Sequence, residues 1–261
     1  MSTVATLGPV IAVTGLAFEA NIAAGLGVTV VRSDDRRTLL AALRRAVARG
    51  GRGIISFGVA GGLEPGLMPG ECVVAASVVT TNERYATCER WSRLLLRALP
   101  EARAGSIVGV DEVVACPDSK RALREDTGAA AVDMESHLAA GVAAEQGLPF
   151  AAIRIIIDPA HRPLPPAALV PLCRDGTPDV AAIMRSLAQQ PGQFPALMRV
   201  ASDARAARAA LLRGRRLLGP LLAFPDVGEH LLNVSREDIL GGPLVVERNF
   251  GSHRALGAYT A

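Results

Sequence analysis

Short apolar runs recur along the chain and alternate with segments of helical spacing. Val10–Val13 and Val28–Val31 are continuous apolar runs of strand length, and each predicts a buried strand. Thr38–Ala48 places its apolar residues at helical intervals and is stopped by Gly50, Gly51 and Gly53. Ile54–Phe57 predicts a third strand, followed by a glycine- and proline-rich turn, G-G-L-E-P-G-L-M-P-G, at 61–70. Cys72–Val79 reads as a long strand, and Ile107–Val110 and Ala130–Asp133 as shorter ones. Met134–Gln146 predicts a helix that stops at Gly147. Phe150–Ile157 is the strongest strand, apolar on both faces apart from Arg154. Such strands lie in the middle of a sheet covered by helices on both sides. His161–Asp179 is a proline-rich loop, and helical spacing returns from Val180 to Leu218. Strands alternating with helices predict an α/β fold. The expectation is a single-domain three-layer sandwich, with a central twisted, mostly parallel mixed sheet flanked by helices. Beyond Gly219 the pattern fades, so residues 1–219 read as the domain and 220–261 as a C-terminal extension of unassigned role.

Composition narrows the classes. The 28 basic and 25 acidic residues leave a net charge of +3, too near balance for nucleic acid to be the main partner. Aromatic residues make up only 3%, too few for a platform that stacks single strands. Cys72, Cys88, Cys116 and Cys173 show no C-x-x-C spacing and read as reduced, buried thiols. The histidines are scattered, and no metal-ligand cluster is expected. The apolar stretch Val4–Val31 resembles a targeting segment in hydropathy alone. It lacks a basic leader, and Glu19 and several glycines interrupt it. It reads as strand–turn–helix, and the expected location is the cytoplasm.

Four segments at predicted strand ends carry candidate chemistry, and in open α/β sheets ligands gather outside the carboxyl ends of strands. In I-A-V-T-G-L-A-F-E (11–19) a strand and tight turn lead to Glu19, whose ordinary reading is an acid at a helix N-terminus. The T-G start would suit a dinucleotide fold, but no glycine occurs between Leu16 and Ile22. The phosphate-binding fingerprint is therefore missing, and with it the case for a nicotinamide oxidoreductase. In S-F-G-V-A-G-G-L, Gly58, Gly61 and Gly62 follow a strand, where glycine lets backbone approach a ligand or simply makes a turn. In A-V-D-M-E-S (131–136), Glu135 can accept from vicinal hydroxyls and Met134 offers a soft apolar surface. The ordinary reading is an Asp133 cap with an acidic first turn. In R-I-I-I-D (154–158), Asp158 follows a buried strand. Desolvation there raises a carboxyl pKa and keeps a proton available for a leaving group, and the alternative is a loop cap.

The order and spacing of G-L-A-F-E, F-G-V-A-G-G-L, G-S-I-V-G-V-D-E-V-V (105–114), A-V-D-M-E-S and R-I-I-I-D resemble the nucleoside phosphorylase family. The likeness is strongest to its methylthioadenosine/S-adenosylhomocysteine nucleosidase branch, from about Val10 to Ala160. S-F-G-V-A-G-G-L, A-V-D-M-E-S-H and Q-P-G-Q-F-P-A-L (190–197) look, more narrowly, like the hopanoid-associated phosphorylases. The resemblance implies a catalytic domain over 1–219 that cleaves purine N-glycosidic bonds. For that narrower group it implies release of adenine from adenosylhopane. It implies that Asp158 protonates purine N7 and that Glu135 binds the ribose hydroxyls. It places Met134 on the sugar, Val113 and Val114 at the base, and Glu19 beside the attacking water. Gly58, Val59 and Gly61 fall where the nucleophile approaches. No organic cofactor or metal is implied, with inorganic phosphate a possible co-substrate, and a homodimer is the expected assembly. Bacterial purine phosphorylases carry a phosphate-binding arginine and serine where this chain has Ser56 and Val59, which leaves water and phosphate both open. An inactive nucleoside- or lipid-binding module is the non-enzymatic alternative, and the joint presence of Glu19, Glu135 and Asp158 argues against it. The loop His161–Arg174 and the basic stretch Arg199–Leu218 are candidates for contact with a lipid-linked substrate and a membrane surface.

Overall fold

The computed structural model describes residues 8–225 apart from Asp34, Leu172, Arg174, Asp175 and Gly176. The strands are β1 (Val10–Thr14), β2 (Val28–Arg32), β3 (Gly53–Gly62), β4 (Cys72–Val79), β5 (Arg84–Ala86), β6 (Arg103–Gly109), β7 (Ala131–Asp133) and β8 (Phe150–Asp158). The helices are α1 (Ala17–Ala23), α2 (Arg36–Ala48), α3 (Glu89–Ala98), α4 (Pro117–Thr127), α5 (Ser136–Glu145), α6 (Val180–Gln189) and α7 (Phe194–Leu217). One mixed sheet holds all eight strands. β1 pairs in parallel with β2 and β3, and β3 in parallel with β8. β8 meets β4 antiparallel, while β4–β6 and β6–β7 are parallel. The last two residues of β3 then pair antiparallel with β7, Gly61 to Val132 and Gly62 to Ala131. The sheet therefore closes a ring, β3–β8–β4–β6–β7, with β1 and β2 extending from one side and β5 from the other. Register shifts at Ala60/Gly61 and Ala75/Ser77 supply the bends that closure needs.

Helices cover both faces. α2 and α5 bury Leu39, Leu43, Leu138 and Ala139 against Ile11, Ile54 and Phe150. On the other face α1, α3 and α7 bury Ile22, Trp91, Leu95, Ala207 and Leu211 against Val10, Ile55 and Ile153. β8, buried on both sides, is the central strand that its composition predicts.

Four expectations change. Gly58–Gly62 is not a turn: it continues β3, because this stretch has strand partners on both sides in β8 and β7. The helical stretch from Val180 to Leu218 is two helices, interrupted at Pro191–Gln193, where proline cannot supply the helical N–H. The Gln193 side chain holds that break, donating to the Ser186 carbonyl (2.9 Å) and accepting from the Ala167 N–H (2.8 Å). The compact unit also runs past Gly219 to Pro225. Leu222 is fully buried, and Trp91 donates its indole N–H to the Leu222 carbonyl at 2.9 Å. The rest of the proposed extension lies outside the described residues. Finally, none of the four free cysteines is fully buried, and Cys116 is exposed on the cap of the polar helix α4.

Candidate active site

The carboxyl ends of β1, β6, β7 and β8 and the second half of β3 converge on a cavity of about 290 Å³. That is close to the lower end of the ~300–1,000 Å³ usual for small-molecule sites. Glu19, Val59, Gly61, Val113, Val114, Met134, Glu135 and Asp158 all line it, so eight of the residues singled out in the sequence share one cavity. Gly58 does not line the cavity. A Cβ there would overlap the Glu19 carboxylate and the Arg154 guanidinium, so its role is to let those two groups meet behind the wall. Val113 and Met134 are half-exposed at the rim. Leu164 and Ala168 bring the proline-rich loop to the same cavity.

Glu19 is buried on α1. Its carboxylate accepts from the N–H groups of Gly15 (2.9 Å), Leu16 (2.8 Å) and Val59 (2.7 Å), which ties the end of β1 to the middle of β3. Burial pushes its pKa upward, against the nearby Arg154 and these three donors, which favour the charged form.

Met134 and Glu135 sit between β7 and α5, because the helix starts at Ser136, two residues later than its apolar spacing predicts. The start is fixed by Asp133, which accepts from the Ser136 N–H at 3.1 Å and from its hydroxyl. Held out of the helix, Glu135 turns into the cavity. Gly15 makes room for it, since a Cβ there would overlap its carboxylate. Burial also pushes Glu135 upward, opposed by Arg154 and reinforced by the neighbouring Asp133 and Glu19.

Arg154 is the residue that the sequence reading noted but assigned no role. It is completely buried mid-strand in β8. It pairs with Asp133 and with Glu135 (3.2 Å), and donates to the Ser56 hydroxyl at 2.6 Å and the Ser136 hydroxyl at 3.3 Å. One guanidinium thus joins β3, β7, β8 and the start of α5. Its signal in the sequence was the single charge within an otherwise apolar central strand, since a lone buried charge is too costly to stand unpaired.

Asp158 ends β8 and lines the same cavity. It accepts from the ammonium of Lys120 on α4, which also donates to the Pro159 carbonyl at 3.1 Å. Burial raises the Asp158 pKa, and Lys120 opposes that rise. Lys120 is the one lysine among the 28 lysines and arginines of the chain, a signal that the sequence reading did not use.

Comparison with known proteins places this arrangement. The family model of the phosphorylase superfamily matches residues 33–189. The chain belongs to that superfamily, as an enzyme of the nucleoside phosphorylase and nucleosidase type. Among solved structures, it is similar to futalosine hydrolase of Helicobacter pylori (18% identity, 80% of this chain and 97% of that one, TM-score 0.55). It is also similar to the 5′-methylthioadenosine/S-adenosylhomocysteine nucleosidase of the same species, solved with butyl-thio-DADMe-Immucillin-A (14% identity, 82% and 98%, TM-score 0.56). The corresponding Campylobacter jejuni nucleosidase aligns over 79% of this chain and all of that one (16% identity, TM-score 0.52). At such identities the likeness is one of fold. No curated protein matched in sequence.

Proposed function

We propose that the protein hydrolyses the bond between adenine and ribose in a nucleoside whose 5′ carbon carries a large apolar group. Adenosylhopane is the case that the sequence resemblance implies. The observation that carries the reaction is the placement of three carboxyl groups, the buried Glu19 and the partly buried Glu135 and Asp158, around one cavity. Cleavage builds positive charge on the sugar and negative charge on the base, and a site that helps must meet both. Asp158 stands at one wall as the acid for N7. Glu135, anchored by Arg154, accepts from the ribose hydroxyls. Glu19 takes the proton of the attacking water as oxygen bonds to C1′.

Water is favoured as nucleophile by the charges around it. Among the described residues, those lining the cavity include five carboxylates and no cation. Arg154, the guanidinium nearest the nucleophile's side, is occupied by Asp133, Glu135, Ser56 and Ser136. A phosphate dianion would face carboxylates without a free counter-charge. A carboxylate has about four acceptor positions, and three on Glu19 are taken, which leaves one for a water molecule.

The 5′ substituent is supported by the lining contributed by Leu16, Val110, Ile157, Leu164 and Ala168. The last two come from the loop that follows the proposed acid. Beside that loop, exposed apolar side chains pair one turn apart on two helices, Val180 with Met184 and Phe194 with Met198. They suit peripheral contact of a cytoplasmic protein with a lipid surface better than the basic half of α7, which packs on β8 through Ala207, Ala210 and Leu211. No helix of the described residues is long and apolar enough to cross a membrane.

Product analysis with and without phosphate tests the reaction. Adenine and free sugar are expected in phosphate-free buffer. Strict phosphate dependence with a ribose 1-phosphate product would reverse the assignment of the nucleophile.

A further inference from the structure

α4 is a polar helix whose one buried residue is a lysine. Lys120 is wholly inaccessible, and its ammonium has two acceptors, the carboxylate of Asp158 and the carbonyl of Pro159. A lysine in such a place costs several kcal/mol in desolvation unless it is paired. An apolar residue at this position would give the helix the same anchor, against the nearby cluster of Leu63, Val108 and Val132. The position therefore calls for a reason beyond packing, and the partner supplies it: the carboxyl group to which the proposed function assigns the proton for the leaving base.

We propose that Lys120 is the positioning residue of the acid: it fixes the Asp158 carboxyl in the cavity wall and provides the counter-charge for the carboxylate that remains once the proton has moved. The inference rests on the reading of Asp158 as the acid. In the step itself the C1′–N9 bond breaks and its electron pair goes to the base. N7 takes the proton from Asp158, water oxygen bonds to C1′, and a water proton passes to Glu19. Asp158 ends as a carboxylate beside an ammonium, a neutral pair, instead of a lone buried anion. Exchange with solvent then restores the proton to Asp158 and removes the one on Glu19.

Other charges near Asp158 do not replace this one. Asp203 of α7 pushes its pKa up and Arg162 of the loop pulls it down, and these two are paired with each other at 2.8 Å. Glu112, Glu135 and Glu19 on the cavity lining are acids. Among the described residues, Lys120 is the cation that Asp158 bonds.

The test combines K120M, K120Q and K120R with two substrates, an adenosine nucleoside and its N7-methylated counterpart. The methylated base already carries positive charge and leaves without a proton. Activity on the ordinary substrate falls as pH rises past the pKa of Asp158. In K120M that limb should move about 1–3 pH units upward, the range over which a close opposite charge acts. Plateau kcat should fall about tenfold or more, with KM little changed and with N7-methyl cleavage near wild type. K120R should restore the limb. K120Q, which can still donate to both oxygens, should behave as K120M does, and it covers the case in which K120M does not fold. An unmoved limb in the neutral variants, or equal losses on both substrates, would make Lys120 a structural support only and overturn the inference. D158N separates this from the underlying reading. It should lose at least about 10²-fold on the ordinary substrate alone, and full activity in folded D158N would remove the acid itself.

Discussion

At the scale of single residues, the site is a set of acids kept from water and held in place by two buried cations. For Glu135 the consequence is selectivity for the sugar. Glu135→Gln keeps the shape but loses the charge that strengthens hydrogen bonds to vicinal hydroxyls, by about 1 kcal/mol or more. The expected result is a larger loss of kcat/KM on ribosides than on 2′,3′-dideoxyribosides. Equal losses on both would remove the ribose role. A second consequence concerns pH. Glu19, Glu135 and Asp158 are all shifted upward by burial, so the folded protein holds these protons more tightly than the unfolded chain does. Stability from this source is full below the ordinary carboxylate range and is lost as pH rises through the folded-state values. Asp35, held low by its capping bonds to Thr38, acts in the opposite direction and only at more acidic pH. Tm should therefore decline as pH rises from the ordinary carboxylate range through about 7, the value to which Glu135 is pushed. Glu19→Gln, which stays neutral, should flatten the decline, and a wild-type Tm that climbs across this interval would contradict the burial of these acids.

At the scale of elements, β3 carries the heaviest constraint. It pairs with three neighbours and brings Glu19 and Arg154 together over Gly58. Gly58→Ala should force the Glu19 carboxylate off its three donors. The expected cost is about 1–3 kcal/mol of stability and a drop in kcat of at least about tenfold, as the displaced acid no longer faces C1′. A Gly58→Ala protein with wild-type kcat and Tm would show that the close approach is dispensable. The same strand shows where sequence reading stops. Buried strands with local signals, such as β4 and β8, were legible from their apolar runs, and so were the acids placed at strand ends. The path of β3 through Gly58–Gly62 was not, because three glycines signal a turn unless the strands on either side are known. Helix α4 escaped for another reason: its one buried residue is Lys120, so it shows no wide apolar stripe. Helix α3 does carry an apolar face, with Trp91 and Leu95 buried and Leu96 and Ala98 packed on the same core, that the sequence reading passed over. Arg154 and Lys120 lie 34 positions apart and far from Glu19 in sequence, and only the closed ring brings the acids they hold, Asp133 and Glu135 for Arg154 and Asp158 for Lys120, to one cavity.

At the scale of the whole molecule, the proline-rich loop forms one margin of the cavity through Leu164 and Ala168, and Gln193 ties that loop to the end of α6. If this margin receives a long apolar 5′ group, kcat/KM should rank a 5′-polyterpenyl adenosine in detergent above methylthioadenosine and adenosine. Efficient cleavage of methylthioadenosine with none of the polyterpenyl compound would identify an ordinary salvage nucleosidase. The opposite end of the molecule offers a different use. The chain has one tryptophan, Trp91, which is fully buried, bonded to the Leu222 carbonyl and met edge-on by Phe224 at 4.8 Å between ring centroids. Segment 220–225 is thus a cover on the protein's single tryptophan, whose emission can be excited apart from that of the two tyrosines. Its emission should be blue-shifted in the intact protein and move to the red, with access to a soluble quencher, when the chain is cut after Gly219. Loosening of the chain end becomes an optical signal that needs no label and is independent of substrate turnover.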